Sequence, residues 1–259
     1  MTGLLIALAA LWGAAAGTLV PRAAYRFSVP QEENWRRLCP GGHPLRGPAR
    51  GWIGPARCRA CAAGAVAAHD AGIAVPRSAY GPRTPLVSLV TALLCAGLAA
   101  ATGPRPELVV WLLLTPVGVL LAAVDLRVRR LPDVLTLPLA LAALLLLGLV
   151  TPVPERAGDW TTALLGTLAL GGGYFVLWIV NPDGMGFGDV KLALGAGALL
   201  GWYGWPTVML GTLAGFLFGV LYGGALVVAR RAGRRTAVPF GPFLLAGAYV
   251  GLLTGAYAA

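Results

Sequence analysis

Eight apolar runs, each close to the ~20 residues that a helix needs to cross a bilayer, constrain this chain more than any other feature. They cover roughly 3–21, 86–102, 107–124, 134–150, 161–180, 191–205, 207–229 and 241–257. The expected fold is all-α: a polytopic integral membrane protein with about eight transmembrane helices and a small loop domain on one side. Charged residues are 12% of the 259, about half the share found in soluble domains. The expected division is a first helix over 1–21, a loop domain over 22–85, and a membrane-embedded domain of about seven helices over 86–259.

A net charge of +10 invites a nucleic-acid reading, and the placement of the charge argues against it. If the N-terminus lies outside, all but Arg105 and Arg156 of the 20 Lys and Arg fall on one side. They sit in the loop 22–85, at Arg127, Arg129 and Arg130, at Lys191, and at Arg230, Arg231, Arg234 and Arg235. That bias is the positive-inside rule, so the charge reports topology, with anionic membrane lipid as a secondary partner. The same rule places the loop 22–85 in the cytoplasm. In "MTGLLIALAALWGAAAGTLVPR" the basic residue follows the apolar run. A cleavable signal has its charges first, so this segment reads as a retained helix.

The chain has ten acidic residues, few enough to place one by one. Glu32, Glu33 and Asp70 fall in the loop domain, and Glu107, Glu155 and Asp159 fall outside, where a surface role is expected. Asp125 and Asp133 flank one cytoplasmic turn, "VDLRVRRLPDVLTLP". Asp183 and Asp189 flank another, "NPDGMGFGD". Two membrane crossings separate Asp125 from Asp189, which returns both to the same face at similar depth.

Two carboxylates in contact do not both ionise, so they share a proton and supply one acid and one base. The ionised member takes a proton from water as the water attacks a peptide carbonyl. The protonated member hydrogen-bonds to the oxygen that becomes tetrahedral. Acids within membrane segments are costly and point to function. Gly184, Gly186 and Gly188 leave no Cβ beside Asp189, so an extended substrate backbone can approach, and the turn is free to use positive φ. Taken singly, Asp189 would read as a helix cap and Asp125 as an interfacial acid paired with its arginines.

Four segments, in order along nearly the whole chain, resemble the bacterial prepilin peptidases, also called type IV leader peptidases. "GMGFGDVKLALGAGALLGW" resembles the family's GxGD signature, and "DLRVRRLPDVLTLP" its first aspartate segment. "GTLVPRAAYRFSVP" is similar to the end of its first helix and "PFGPFLLAGA" to the start of its last. The resemblance implies a GxGD-type membrane aspartyl endopeptidase with Asp125 and Asp189 as its catalytic pair. Its substrates would be prepilin or pseudopilin proteins, cut at the cytoplasmic face of the bacterial inner membrane to release a short basic leader. By the same resemblance Asp133 caps the following helix, while Asp183 has no matched role. Lys191, two positions beyond Asp189, points away from the pair and serves as an anchor. Many family members also N-methylate the new N-terminus with S-adenosylmethionine. That activity is implied by kinship and carried by no motif here. The family commonly has Asn where Pro21 falls, which suggests a changed exit angle for the first helix.

Cys95 lies mid-helix and reads as a small apolar residue. The other three cysteines fall in the loop domain, where "CPGGHPL" and "CRAC" give C-x3-H followed by C-x2-C. Cys39, His43, Cys58 and Cys61 thus form a candidate structural zinc set, with free thiols as the alternative. The resembling family often has two C-x2-C pairs in this region, and here the second cysteine of the first pair is missing. Two other readings compete with the peptidase: a polytopic transporter, expected to hold its acids near mid-bilayer, and a non-catalytic scaffold of a pilus or secretion assembly. The sequence leaves the oligomeric state open.

Overall fold

The computed structural model describes residues 2–30, 33–69, 78–182, 184–229 and 239–259. Glu32, Asp70, Asp183 and the basic residues Arg77, Arg230, Arg231, Arg234 and Arg235 lie outside them. Ten helical segments follow in order: α1 (Thr2–Phe27), α2 (Pro48–Gly51), α3 (Arg59–His69), α4 (Thr84–Thr102), α5 (Glu107–Val128), α6 (Asp133–Val150), α7 (Trp160–Val180), α8 (Phe187–Trp202), α9 (Trp205–Val228) and α10 (Gly241–Ala258). Among the described residues no strand forms beyond two isolated bridges, Leu38 with Pro44 and Arg57 with Ala79. The protein is an all-α, multi-pass membrane protein.

Seven helices, α1, α4, α5, α6, α7, α9 and α10, are long and apolar enough to cross a membrane. The eighth expected span is α8, and its 16 residues reach only ~24 Å at 1.5 Å per residue. It is enclosed by the bundle: most of its residues are buried, and it packs on α6, α7, α9 and α10. Its glycines, which weaken it as a span by composition, are what let the neighbours close in. A Cβ on Gly197 would lie 2.8 Å from the Gly166 carbonyl carbon, and one on Gly195 would meet the Ala140 Cα at 3.5 Å. Small residues at helix contacts and large ones facing lipid are the usual arrangement in a bilayer. On α6, accordingly, Ala140, Ala143 and Leu147 are buried while Leu141, Leu145 and Leu149 are exposed.

The first helix runs past its expected end at 21. Pro21 lies inside it, and the helix continues to Phe27. Its last two turns form a post on which the loop folds. The Arg22 guanidinium donates to the carbonyls of Arg46, Ile53 and Pro55. Arg26 donates to the Arg50 carbonyl at 3.0 Å and stacks over Trp52. These bonds pair the terminal nitrogens of two buried cations with backbone oxygens from the loop, while the Nε of each has no partner among the described residues. Tyr25, Cys39, Ala56, Cys61 and Tyr80 form a small separate core beside them. The loop is too small to build a core alone and borrows this one from the helix.

Candidate active site

The dyad region is assembled from helix ends. Asp125 sits in the last turn of α5, where the Arg129 amide closes the helix on the Asp125 carbonyl at 2.8 Å with Arg129 in the left-handed conformation. Asp189 sits in the first turn of α8. Relative exposures of 4% and 6% leave both acids buried. With α6 and α7 crossing between them, the two acids come to the same end of the bundle, near enough for the charge of Asp125 to act on Asp189. Neither lies at mid-helix, where the transporter reading needs its acids.

Each carboxylate has a distinct setting. Asp125 Oδ2 accepts a hydrogen bond from the Gly241 amide at 3.1 Å, the opening residue of α10, whose N-terminal dipole favours negative charge. A side chain at Gly241 would crowd this contact, because its Cβ would fall 2.8 Å from the same oxygen. Asp189 does not cap its helix. Gly186 occupies the N-cap position, the Asp189 amide donates to the Gly186 carbonyl, and Asp189 Oδ1 is buried with no hydrogen-bond partner among the described residues. A buried carboxylate oxygen without a partner is costly and is the mark of a group kept for something other than stability.

The three glycines have separate surroundings. None of the three adopts positive φ, so the conformational freedom they offer goes unused, and Gly186 lies at an ordinary φ of −70°. A Cβ on Gly186 would stand 3.5 Å from Asp189 Oδ2, one on Gly188 would press on Leu131 Cβ at 2.9 Å, and one on Gly184 would strike the Asn181 side chain. Gly186 is therefore the member of the set beside the carboxylate, while Gly188 makes room for Leu131. The same Leu131 lies against Gly241 and so joins the two halves of the site.

Two other acids, Asp133 and Glu107, depart from expectation. Asp133 does not cap α6; Pro132 holds the N-cap position, and the Asp133 carboxylate pairs with Lys191 at 2.6 Å. Lys191 also lies over the Phe187 ring, so it ties the start of α8 to α6. Glu107, expected at the surface, is 0% exposed. Its Oε1 accepts from the Tyr203 hydroxyl and the Ala157 amide, because the N-terminal end of α5 is covered by the α6–α7 turn and by the turn after α8. Asp159 caps α7, accepting from the amides of Thr161 and Thr162; the Thr162 amide bond, joined by Thr161, holds its carboxyl below the usual carboxylate range.

The candidate metal ligands converge. The donor atoms of Cys39, His43, Cys58 and Cys61 lie within 4.8 Å of one another. Cys39 Sγ stands 3.6 Å from both His43 Nδ1 and Cys61 Sγ, and Cys61 Sγ is 3.3 Å from His43 Nδ1. Ordinary Zn–S and Zn–N bonds arranged as a tetrahedron put such atoms about 3.5–3.8 Å apart, so the donor set fits a metal ion. The Cys61 amide bonds toward Cys58 and holds that thiol below its ordinary range, while burial pushes the Cys61 thiol up to about 11; a bound metal takes both as thiolates. The turn is closed by the Cys39 amide on the His43 carbonyl and the Gly42 amide on the Cys39 carbonyl, with Gly42 at φ 78°. A Cβ on Gly41 would fall 2.7 Å from Cys61 Sγ, so this glycine makes room for the cluster.

Comparison with known proteins gives this geometry its context. The type IV leader peptidase family profile matches residues 112–224, a stretch that holds both aspartates. The chain is 36% identical to the prepilin leader peptidase/N-methyltransferase of Aeromonas salmonicida over 248 residues, covering 89% of this chain and 74% of the relative. The chain belongs to the type IV leader peptidase family. A protein of the same name from Aeromonas hydrophila is 36% identical over 91% of this chain and 76% of its own length. Another from Burkholderia pseudomallei is 32% identical over 90% and 70%. No solved structure matches the chain significantly. Within this leader peptidase fold, the residues beside the two acids that the sequence does not single out are Leu131 and Gly241. Gly241 carries one legible signal, a Gly-Pro pair opening a helix.

Proposed function

We propose that this protein is an aspartyl endopeptidase that removes the basic leader from type IV prepilin-like proteins at the cytoplasmic face of the bacterial inner membrane, with Asp125 and Asp189 as its catalytic pair. The observation that supports the reading is that two buried carboxylates lie at one end of the bundle, near enough for the charge of one to act on the other. One proton is shared by the pair. The ionised carboxylate takes a proton from water, whose oxygen attacks the scissile carbonyl carbon. The protonated carboxylate hydrogen-bonds to the carbonyl oxygen as negative charge develops there. Collapse of the tetrahedral species breaks the C–N bond, and the departing amine receives the proton. A site at the ends of α5 and α8 suits a scissile bond just outside an apolar substrate helix, and Gly186 leaves room for the substrate backbone beside Asp189. The test is co-expression with a prepilin whose basic leader ends in Gly before an apolar ~20-residue stretch. Loss of the leader, seen as a gel shift that depends on this protein, is the expected result; an unshifted prepilin at normal enzyme levels contradicts it.

The relatives are named as N-methyltransferases too; for this chain, N-methylation with S-adenosylmethionine rests on kinship alone. We further infer that Cys39, His43, Cys58 and Cys61 hold one zinc ion. Bound there, zinc would supply a structural cross-link, tying the turn 39–43 to the start of α3. The purified protein is expected to carry about one zinc per chain, lost when Cys58 and Cys61 are both replaced by Ser. A metal-free preparation with full thermal stability would contradict the assignment.

A further inference from the structure

Tyr174 occupies a place that Phe would fill equally well by shape. It lies on α7, 1% exposed, with its ring stacked on Phe216 at 5.7 Å and tilted against Phe240 at 5.9 Å. Both neighbours are apolar, so the hydroxyl adds nothing to that packing. It is buried and has no hydrogen-bond partner among the described residues. An unpaired buried hydroxyl is destabilising unless it serves another group.

Two lines of geometry point to that group. Phe240 immediately precedes Gly241, whose amide donates to Asp125, so the Tyr174 ring forms part of the wall behind the dyad. The contacts between α7 and α8 then give the register. Gly201 meets Thr162 and Ala163, Gly197 meets Gly166 and Thr167, and Leu194 meets Gly171. Continued one turn further, this antiparallel series brings Tyr174 to the first turn of α8, where Asp189 stands. The Asp189 carboxylate is near enough for its charge to act on the Tyr174 hydroxyl. Asp189 Oδ1 is itself without a partner among the described residues. Two unpaired buried polar atoms therefore share one neighbourhood, and one water bridging them would satisfy both.

We propose that Tyr174 is a positioning residue: its hydroxyl donates to a water that donates in turn to Asp189 Oδ1, fixing the carboxylate so that Oδ2 stays turned toward Gly186 and the scissile bond. This rests on the reading that Asp189 is catalytic. The hydroxyl touches neither substrate nor reacting atoms, so its loss lowers turnover and leaves substrate binding intact.

The test is Tyr174→Phe in the full-length protein, assayed for leader removal from a purified prepilin in detergent or vesicles beside Asp125→Asn and Asp189→Asn. The expected result is a kcat lowered about tenfold or more, the scale of one lost hydrogen bond to a charged group. KM should stay within about twofold of the parent and membrane levels should be unchanged. A Tyr174→Phe enzyme with parental kcat, while both Asn variants are inactive, overturns the role of Tyr174 and leaves the dyad standing. Asn variants that cut at the parental rate would remove the dyad reading and this inference together.

Discussion

Asp125→Asn and Asp189→Asn are each expected to reduce leader removal by about a thousandfold or more, the upper part of the range for lost acid–base catalysis. Either change alone should suffice, because two groups that share one proton act as a unit and their losses do not add. Asn matches Asp in shape, so the packing of α5 against Gly241 and of α8 at Gly186 is preserved. Stability should move the other way. Each substitution replaces one member of a buried pair with a neutral group of the same shape, which removes the cost of holding two acids together at one site. Thermal unfolding in detergent should therefore occur at or above the parental temperature. Loss of activity with stability retained separates a catalytic role from a structural one. A fall in membrane level that parallels the loss of cleavage would mean the acids hold the fold instead.

Gly197→Val is expected to have the largest effect on the fold. The added Cβ would lie 2.8 Å from the Gly166 carbonyl carbon and 2.9 Å from the Thr167 Cα. Those are backbone atoms with no rotamer through which to yield, so α7 and α8 would have to separate. Overpacking of this kind costs about 3 kcal/mol or more. Because α8 carries Asp189, cleavage should fail along with stability. Gly172→Ala on α7 is the matched control. Nothing lies within 4 Å of its added Cβ, and replacing a helical Gly with Ala gains about 0.5–1 kcal/mol. The pair is checked by thermal unfolding and membrane level, and a Gly197→Val protein as stable as its parent would refute the packing described for α8.

These two predictions differ in how far the sequence foreshadows them. The placement of Asp125 and Asp189 at one end of the bundle is legible because the chain has few acids and the positive-inside bias fixes which loops share a side. Cys39, His43, Cys58 and Cys61 were legible because ligand spacing is local. The enclosure of α8 was not, since hydropathy measures a segment's composition and is blind to whether protein or lipid surrounds it. The extension of α1 through Pro21 escaped notice because Arg22 and Arg26 look like the end of a span. Only the folded loop supplies the carbonyls that let them stay helical. Asp133 was read as a cap from its position, and its pairing with Lys191 depends on the packing of α6 against α8. Gly241 contacts Asp125 across 116 residues of sequence, and Tyr174 reaches the site through the register of α7 on α8. Such contacts belong to tertiary structure and leave no local pattern.

The most direct measurement is a cross-link between positions 125 and 189. All four native cysteines lie before residue 100. If a protease site is placed in the turn between α6 and α7, the C-terminal fragment contains no thiol except one introduced at position 189. The account predicts that Asp125→Cys/Asp189→Cys, oxidised or bridged by a short thiol reagent and then cut, keeps its two fragments together until reduced, while Asp189→Cys alone releases them. Fragments that separate equally from both variants would show that the two acids do not meet, and would contradict the account at its centre.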